Sequence, residues 1–398
     1  MAEATILQAV PRLDAGGSEQ AAVEIAQALT RARAAALVAT EGGRMATALT
    51  EAGGEVVALP MASKNPFTIL ANARRLARLI EARSVSLVHA RSRAPAWSAL
   101  IAARRTKRPF VTTYHGAYAK AGPFKNFYNS VMARGDLVIA NSRYTADLIA
   151  ARHRLPPDRI RVIYRGVDVA KFSTDEVVPN RLGRLRALWG VSERRPVVLQ
   201  AARLTSWKGQ PLVIEAAAQL LRADRLGDAV IIMAGDPQGR DAYQRELERL
   251  IARSGLTEHV KPVGHCDDMP AAFALAQVAV IASTSAETFG RTSIEAQAMG
   301  CPVIVSDIGA APETIVPAGP GKRDDTGWLV PCRDPGAIAE GIAEALALSP
   351  EQRAALGARG RRRVAAKFSL RQMQRATLAV YDELLGTYLA ARFDAFTT

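Results

Sequence analysis

The sequence predicts an α/β protein made of two tandem, doubly wound domains, each a parallel sheet with helices on both faces. Three observations predict it. Short apolar runs alternate with longer helical patterns through nearly the whole chain. The alternation lapses over the polar segment 172–183 and restarts at Pro196. Finally, 398 residues are too many for one ordinary core and fit two domains of about 200 residues each.

In the first half, strand-like runs fall at 4–10, 35–39, 56–59, 86–90, 110–114, 137–140 and 160–164, with helical patterns such as 18–29, 69–83 and 144–152 between them. The runs are almost continuously apolar, as strands buried on both faces are, so the sheet is expected to be parallel. In the second half the strands are expected at 196–201, 229–234, 260–263, 278–282, 302–306 and 328–330. The expected domains are therefore 1–175 and 184–369, both Rossmann-like, followed by one long helix over 370–393 that carries Tyr381, Tyr388 and Phe393. No period of 20–50 residues recurs, which excludes solenoids and propellers.

Mean hydropathy is +0.01 and no apolar run approaches the roughly 20 residues that span a bilayer. The start, Met1-Ala-Glu-Ala-Thr-Ile-Leu7, has neither a basic nor an adequate apolar region, so no signal peptide is expected. Cys266, Cys301 and Cys332 lie far apart in no metal-ligand spacing, which fits a reduced, cytoplasmic protein with no bound metal. Formal charge is +14 and uneven. Residues 1–180 hold 25 Lys and Arg against 14 Asp and Glu, and the remainder 27 against 24. A basic first half implies an anionic partner: nucleic acid, anionic lipid or an acidic acceptor. An Arg-rich composition inherited from a GC-rich genome would give the same excess with no partner.

The most informative stretch is Ser285-Ala-Glu-Thr-Phe-Gly-Arg-Thr-Ser-Ile-Glu-Ala-Gln-Ala-Met-Gly300. It joins a buried strand to a helix expected over 292–299, so Glu287 falls in the loop and Glu295 about two turns into the helix. The turn through Phe289, Gly290, Arg291 and Thr292 leaves backbone N–H groups at a helix N-terminus, where phosphate binds. Two carboxylates around such a corner suit a ligand with phosphate in its middle and hydroxyls at both ends, as in a nucleotide sugar. A glutamate at a helix start is equally a dipole partner.

Three further segments lie at expected carboxyl ends of strands, the ligand edge of such sheets. After the first strand, Gly16 and Gly17 allow close backbone approach and Ser18 can cap a helix. His115 and Gly116 close the fifth strand. In the second half, Arg203-Leu-Thr-Ser-Trp-Lys208-Gly209 places two cations where they suit two phosphates. Asp268, in Val263-Gly-His-Cys-Asp-Asp268, can cap the helix that follows. The segment 118–134 interleaves aromatics with lysines, a texture for an anionic saccharide or lipid headgroups, or for a helix packing Phe127, Val131 and Met132 inward. There is neither GxGxxG nor GxxxxGK[ST], which argues against a nicotinamide cofactor and P-loop chemistry.

Glu287 and Glu295, with Arg203, Lys208 and Gly209 before them, resemble the E-x7-E and R-x4-K-G elements of retaining glycosyltransferases of family 4, which have the GT-B fold. The resemblance covers nearly the whole chain, most clearly 196–335, and runs on through Ala-Met-Gly-Cys-Pro-Val-Ile-Val-Ser-Asp-Ile-Gly309 to Glu313. It implies two domains facing across a cleft, a terminal helix crossing back to the first domain, and a metal-independent hexosyltransferase with no cofactor. Arg203, Lys208 and the amides near Gly290–Thr292 would meet the leaving diphosphate, Glu287 and His115 the sugar, Glu295 the ribose, and Gly16-Gly17 the donor and acceptor. Asp268 sits where the family grips the base and would accept from guanine, unless it only caps its helix. Ala202 replaces the glycine usual before Arg-Leu, Tyr164-Arg-Gly-Val-Asp168 the usual Pro-Asn-Gly-Val-Asp, and Gly309-Ala310 a Gly-Gly.

His89-Ala-Arg-Ser-Arg-Ala-Pro-Ala-Trp97 and Thr112-Thr-Tyr-His-Gly-Ala-Tyr118 look most like bacterial lipopolysaccharide-core mannosyltransferases. The expectation is mannose transfer from GDP-mannose to a lipopolysaccharide-core or other lipid-linked, anionic acceptor, at the inner face of the cytoplasmic membrane. The rival readings are a UDP-sugar-dependent enzyme of the same fold, an epimerase or phosphorylase, and a basic nucleic-acid-binding protein. No helix-turn-helix, zinc or RNA-recognition signature supports the last.

Overall fold

The structure is a computed structural model and describes residues 4–14, 16–116, 122–319 and 324–396. The chain divides into two compact units, one of Met1–Tyr164 with Leu370–Thr398, the other of Arg165–Ser369.

In the first unit the strands are β1 (Thr5–Ala9), β2 (Ala35–Thr40), β3 (Gly54–Ala58), β4 (Leu87–Ala90), β5 (Phe110–Tyr114), β6 (Leu137–Ala140) and β7 (Ile160–Val162). They form one sheet in the order β3-β2-β1-β4-β5-β6-β7, with parallel pairing throughout. The connecting helices are α1 (Gly17–Arg31), α2 (Ala46–Glu51), α3 (Pro66–Ala82), α4 (Arg93–Arg105), α5 (Pro123–Ser130) and α6 (Arg143–His153). Successive strand residues point to opposite faces. Accordingly Ile6 packs with Ile25 and Leu29 of α1, while its neighbour Leu7 packs with Leu76 and Ile80 of α3. Local chemistry sets the helix starts: Asn65 Oδ1 accepts from the amides of Phe67 and Thr68, and Pro66 holds the first helical position.

In the second unit α7 (Pro179–Trp189) leads into β8 (Val197–Ala201), α8 (Gln210–Arg222), β9 (Val230–Ala234), α9 (Asp241–Arg253) and β10 (Val260–Gly264). There follow α10 (Met269–Leu275), β11 (Ala276–Ile281), α11 (Arg291–Ala298), β12 (Val303–Ser306), β13 (Gly327–Val330), α12 (Pro335–Ala347) and α13 (Pro350–Lys367). The sheet order is β10-β9-β8-β11-β12-β13, again all parallel. Val198, Ile231, Val280 and Ile304 pack under Val213, Ile214 and Ile342.

Two expected boundaries move. The polar segment 172–183 is no linker: Phe172 packs on Phe273, and Val167 donates its amide to Phe368 O at 2.9 Å. The first unit therefore ends at Tyr164 rather than 175. The segment reads as polar because α7 buries only Leu185 and Trp189.

The expected single helix over 370–393 is instead two, α14 (Leu370–Leu385) and α15 (Leu389–Ala395). Gly386, at φ +66°, turns the chain between them, and the Asp382 carboxylate accepts from the amides of Leu389 and Ala390. Both helices belong to the first unit, where Met373, Tyr381, Leu389 and Phe393 complete the core around Ile25 and Leu29. No helix among the described residues is long and apolar enough to cross a membrane.

Candidate active site

In the second sheet β8 lies between β9 and β11. The chain leaves β8 towards β9 on one side and later returns to β11 on the other, so the carboxyl ends of β8 and β11 mark the topological switch point, where ligands bind in such sheets. The loops after these two strands carry the residues singled out from sequence. Lys208 Nζ lies 2.8 Å from Glu287 Oε1, with each side chain 14% exposed. Ser283 Oγ donates to the same carboxylate oxygen. The Lys208 ammonium also stands 4.5 Å from the centroid of the Trp207 ring, and Gln200 Nε2 donates to the Lys208 carbonyl at 3.0 Å.

Glycines make this corner possible by close approach. Gly209 has φ +72°, and a Cβ there would lie 1.9 Å from the Ala282 carbonyl oxygen. Gly309, at φ +63°, would place a Cβ 2.6 Å from the Glu287 carbonyl oxygen, which already accepts from Ala310 N at 2.9 Å. Gly290 differs. It has φ +93°, nothing lies within 4 Å of its Cβ direction, and it begins α11 with no side-chain cap. With no side-chain cap and open space beside Gly290, the N-terminus of α11 is a ready place for a phosphate. Thr292 and Lys208 line the small pocket beside it with Gln200 and Ser283.

The remaining sequence candidates of this unit fall as follows. Glu295 stands one turn into α11, not two, because half of the eight residues from Glu287 belong to the loop before Arg291; its Oε1 lies 3.3 Å from Arg291 Nε. Phe289 is buried edge-to-face on Phe368, so its ring is committed to the core. Arg203 is exposed, its guanidinium 3.5 Å from Gln238 Oε1. Asp268 caps α10 by accepting from Ala271 N at 3.1 Å, and Arg181 grips both its oxygens at 2.6 and 2.9 Å. The Arg181 guanidinium holds this carboxyl below the usual aspartate range. Of the two roles left open for Asp268, capping is the one observed.

In the first unit the sheet diverges between β1 and β4. Gly16 and Gly17 begin α1 directly after β1, with Gly16 in extended backbone at the N-cap. Ser18 does not cap; its hydroxyl donates to Glu19 Oε2 at 2.7 Å. His115 follows β5 and is half-buried. Residues 118–121 of the aromatic-basic segment lie outside the described residues; in the part that is described, Val131 and Met132 are buried but Phe127 faces outward.

Sequence reasoning missed a buried polar chain at this divergence. His89 Nδ1 lies 2.7 Å from Tyr381 Oη and its Nε2 2.7 Å from Thr113 Oγ1, while Arg91 Nε donates to Gln8 Oε1. Burial drives His89 well below the usual histidine range and Tyr381 up to about 12. Arg91 had a signal, its place one residue beyond β4. Tyr381 had none, being 292 residues from its partner. Ser283 was likewise missed; it lies in the loop two residues beyond β11, and only the loop geometry turns it onto Glu287.

The description Glycosyltransferase Family 4 matches residues 15–171, and Glycosyl transferases group 1 matches residues 184–363. The GDP-mannose-dependent alpha-(1-6)-phosphatidylinositol monomannoside mannosyltransferase of Mycolicibacterium smegmatis is 31% identical over 302 residues, 73% of this chain and 74% of that protein. The chain belongs to the family 4 glycosyltransferases. A solved glycosyltransferase from Rickettsia africae superposes on this family 4 member with a TM-score of 0.88 at 32% identity, covering 97% of this chain and 99% of that one. The D-inositol 3-phosphate glycosyltransferase of Saccharomonospora viridis is 32% identical over 267 residues, 65% of this glycosyltransferase. That match spans 58% of the relative's own length.

Proposed function

We propose that this glycosyltransferase moves a sugar, with retention of anomeric configuration, from a nucleotide-sugar donor to a lipid-linked saccharide acceptor. The single observation behind the donor site is the half-buried Lys208–Glu287 pair beside the uncapped N-terminus of α11. An ammonium has three donors, and Glu287 engages it through one oxygen, so Lys208 can also meet a phosphate oxygen. As the bond to the sugar breaks, negative charge grows on the diphosphate. A cation and helix amides already in position stabilise that charge without reorganising. Glu287, its carboxylate fixed by Lys208 and Ser283, accepts from sugar hydroxyls. The departing diphosphate takes the proton from the acceptor hydroxyl, so the reading needs no carboxylate nucleophile.

GDP-mannose as donor is supported by the name of the mycobacterial relative and by the resemblance to lipopolysaccharide-core enzymes. An acceptor bearing phosphate is supported by the inositol 3-phosphate and phosphatidylinositol acceptors in the relatives' names and by the basic first half of the chain. One observation favours a UDP sugar instead: Asp268, the carboxylate that would read guanine, is held by Arg181 and Ala271.

Thermal-shift titration with GDP, UDP, ADP and their sugars separates these readings, because a ligand that binds only the folded state raises Tm by mass action. A shift with GDP and GDP-mannose is expected. A shift with UDP but not GDP would reassign the donor, and no shift with any nucleotide would overturn the donor site.

A further inference from the structure

The outward faces of α3 and α4 share one pattern. On α3 it runs Phe67, Leu70, Arg74, Arg78, and on α4 it runs Trp97, Ile101, Arg104, spacings that put each set on one side of its helix. In both, apolar residues come first and guanidiniums follow. Both helices leave carboxyl ends of strands in one parallel sheet and pack side by side, so their apolar ends lie together at the sheet's ligand edge. Ser98 of α4 donates to the Ile69 carbonyl of α3 at 3.1 Å, tying the two. Trp97 stacks on Phe127 of α5 with centroids 5.1 Å apart and donates to the Tyr128 carbonyl, which adds α5 to the same surface.

This surface is unusual for water. Phe67 is 83% exposed and Phe124 92%, with Leu70, Ile101 and Phe127 also exposed. Single exposed apolar side chains need no explanation, but several large ones gathered at one edge mark an interaction surface. The charge around it is predominantly basic: residues 60–135 contain 14 Lys and Arg and one acid, Glu81, and Asp136 just beyond pairs with Arg104 at 2.7 Å. Arg134 stacks over both Trp97 and Phe127. Apolar tips ringed by guanidiniums on aliphatic stems match the boundary of an anionic bilayer, where rings enter the acyl region and cations stay with the headgroups.

We propose that the edge formed by the first turns of α3 and α5 and the outer face of α4 seats the protein on anionic lipid, as a peripheral protein of the cytoplasmic face. The proposal deepens the lipid-linked-acceptor reading, since this is the edge that carries Gly16, Gly17 and His115. Seating it on the bilayer holds the acceptor side of the protein at the depth where lipid-borne hydroxyls emerge.

Co-sedimentation of the full chain with vesicles tests it without turnover, so failure here and failure of the glycosyltransferase reading are distinguishable. Wild type is expected to bind phosphatidylcholine vesicles containing phosphatidylglycerol, bind pure phosphatidylcholine weakly, and release as salt rises. The Phe67→Ser/Phe124→Ser double variant should bind on the order of tenfold less or weaker still. Arg74→Gln/Arg78→Gln should lose about fivefold per guanidinium on anionic vesicles alone. Phe396→Ser, an exposed phenylalanine covered by Arg33, is the control and should bind as wild type. All substituted side chains are exposed, and circular dichroism verifies the fold. Equal binding to neutral and anionic vesicles, undiminished binding by the Phe67/Phe124 variant, or preference for RNA over vesicles would overturn the proposal.

Discussion

Lys208 and Glu287 are 79 residues apart in sequence and 2.8 Å apart in space. They meet because β8 and β11 are neighbours at the point where the sheet order reverses, and because Gly209 lets one loop press against the other. The pair is a small electrostatic unit; in the proposed function its cation meets a diphosphate and its carboxylate, also held by Ser283, meets sugar hydroxyls.

Lys208→Ala should lower turnover by about 10²–10³, the usual loss when one preorganised charge-stabilising donor is removed. It also strands the Glu287 carboxylate, so stability should fall by about 1–3 kcal/mol while the fold persists. Steady-state kinetics and urea unfolding measure the two effects. Turnover within twofold of wild type would remove Lys208 from the phosphate site.

Glu295→Gln should weaken nucleoside diphosphate binding more than it slows transfer, since a ribose contact is alike in ground and transition states. Calorimetric titration decides it. Unchanged affinity would leave Glu295 with only its ion pair to Arg291.

Gly209→Ala and Gly290→Ala both force an alanine to positive φ, which costs about 1–3 kcal/mol. Only the former also collides with backbone, at Ala282. Gly209→Ala should therefore be the more destabilised of the two and should displace Lys208. Gly290→Ala should unfold closer to wild type yet bind nucleoside diphosphate less well, because the methyl occupies open space at the start of α11. Equal midpoints for the two variants would contradict the packing described.

Stability should depend on pH through His89. Desolvation, reinforced by the Arg91 charge, keeps its folded-state pKa well below that of the unfolded chain, near 6.5. The unfolded state then binds the extra proton first, so this contribution is complete above about pH 6.5 and is lost as pH falls below it, by at most about 1.4 kcal/mol per pH unit. His153, depressed for the same cause, acts in the same direction. His89→Gln should be less stable at neutral pH and should flatten the slope of Tm against pH between 6.5 and 5. An unchanged slope would assign the acid sensitivity to other groups.

Much of the fold was legible because its signals are local. All thirteen strands were expected from their apolar runs, and their continuity implied parallel pairing buried on both faces. The candidate donor corner was legible too, as glycine, cation and carboxylate at the ends of such strands are tied to backbone needs that a short window displays. Residues 172–183 misled for a related reason: α7 is a mostly exposed helix, so its periodicity is faint.

The alternation of strand and helix, the doubly wound class and the candidate ligand loops could be read from the sequence, because period, turn chemistry and strand ends are properties of a few neighbouring residues. Which side chains face each other is set by the packed fold. It committed Asp268 to Arg181, turned Ser283 onto Glu287, buried the Phe289 ring, and brought Tyr381 to His89 from the far end of the chain. It also gathered Phe67, Trp97 and Phe127 from three helices along one edge. Such pairings depend on sheet order and on helix packing across long stretches of chain, where hydrophobic burial sets the positions and the side chains take the partners they find there.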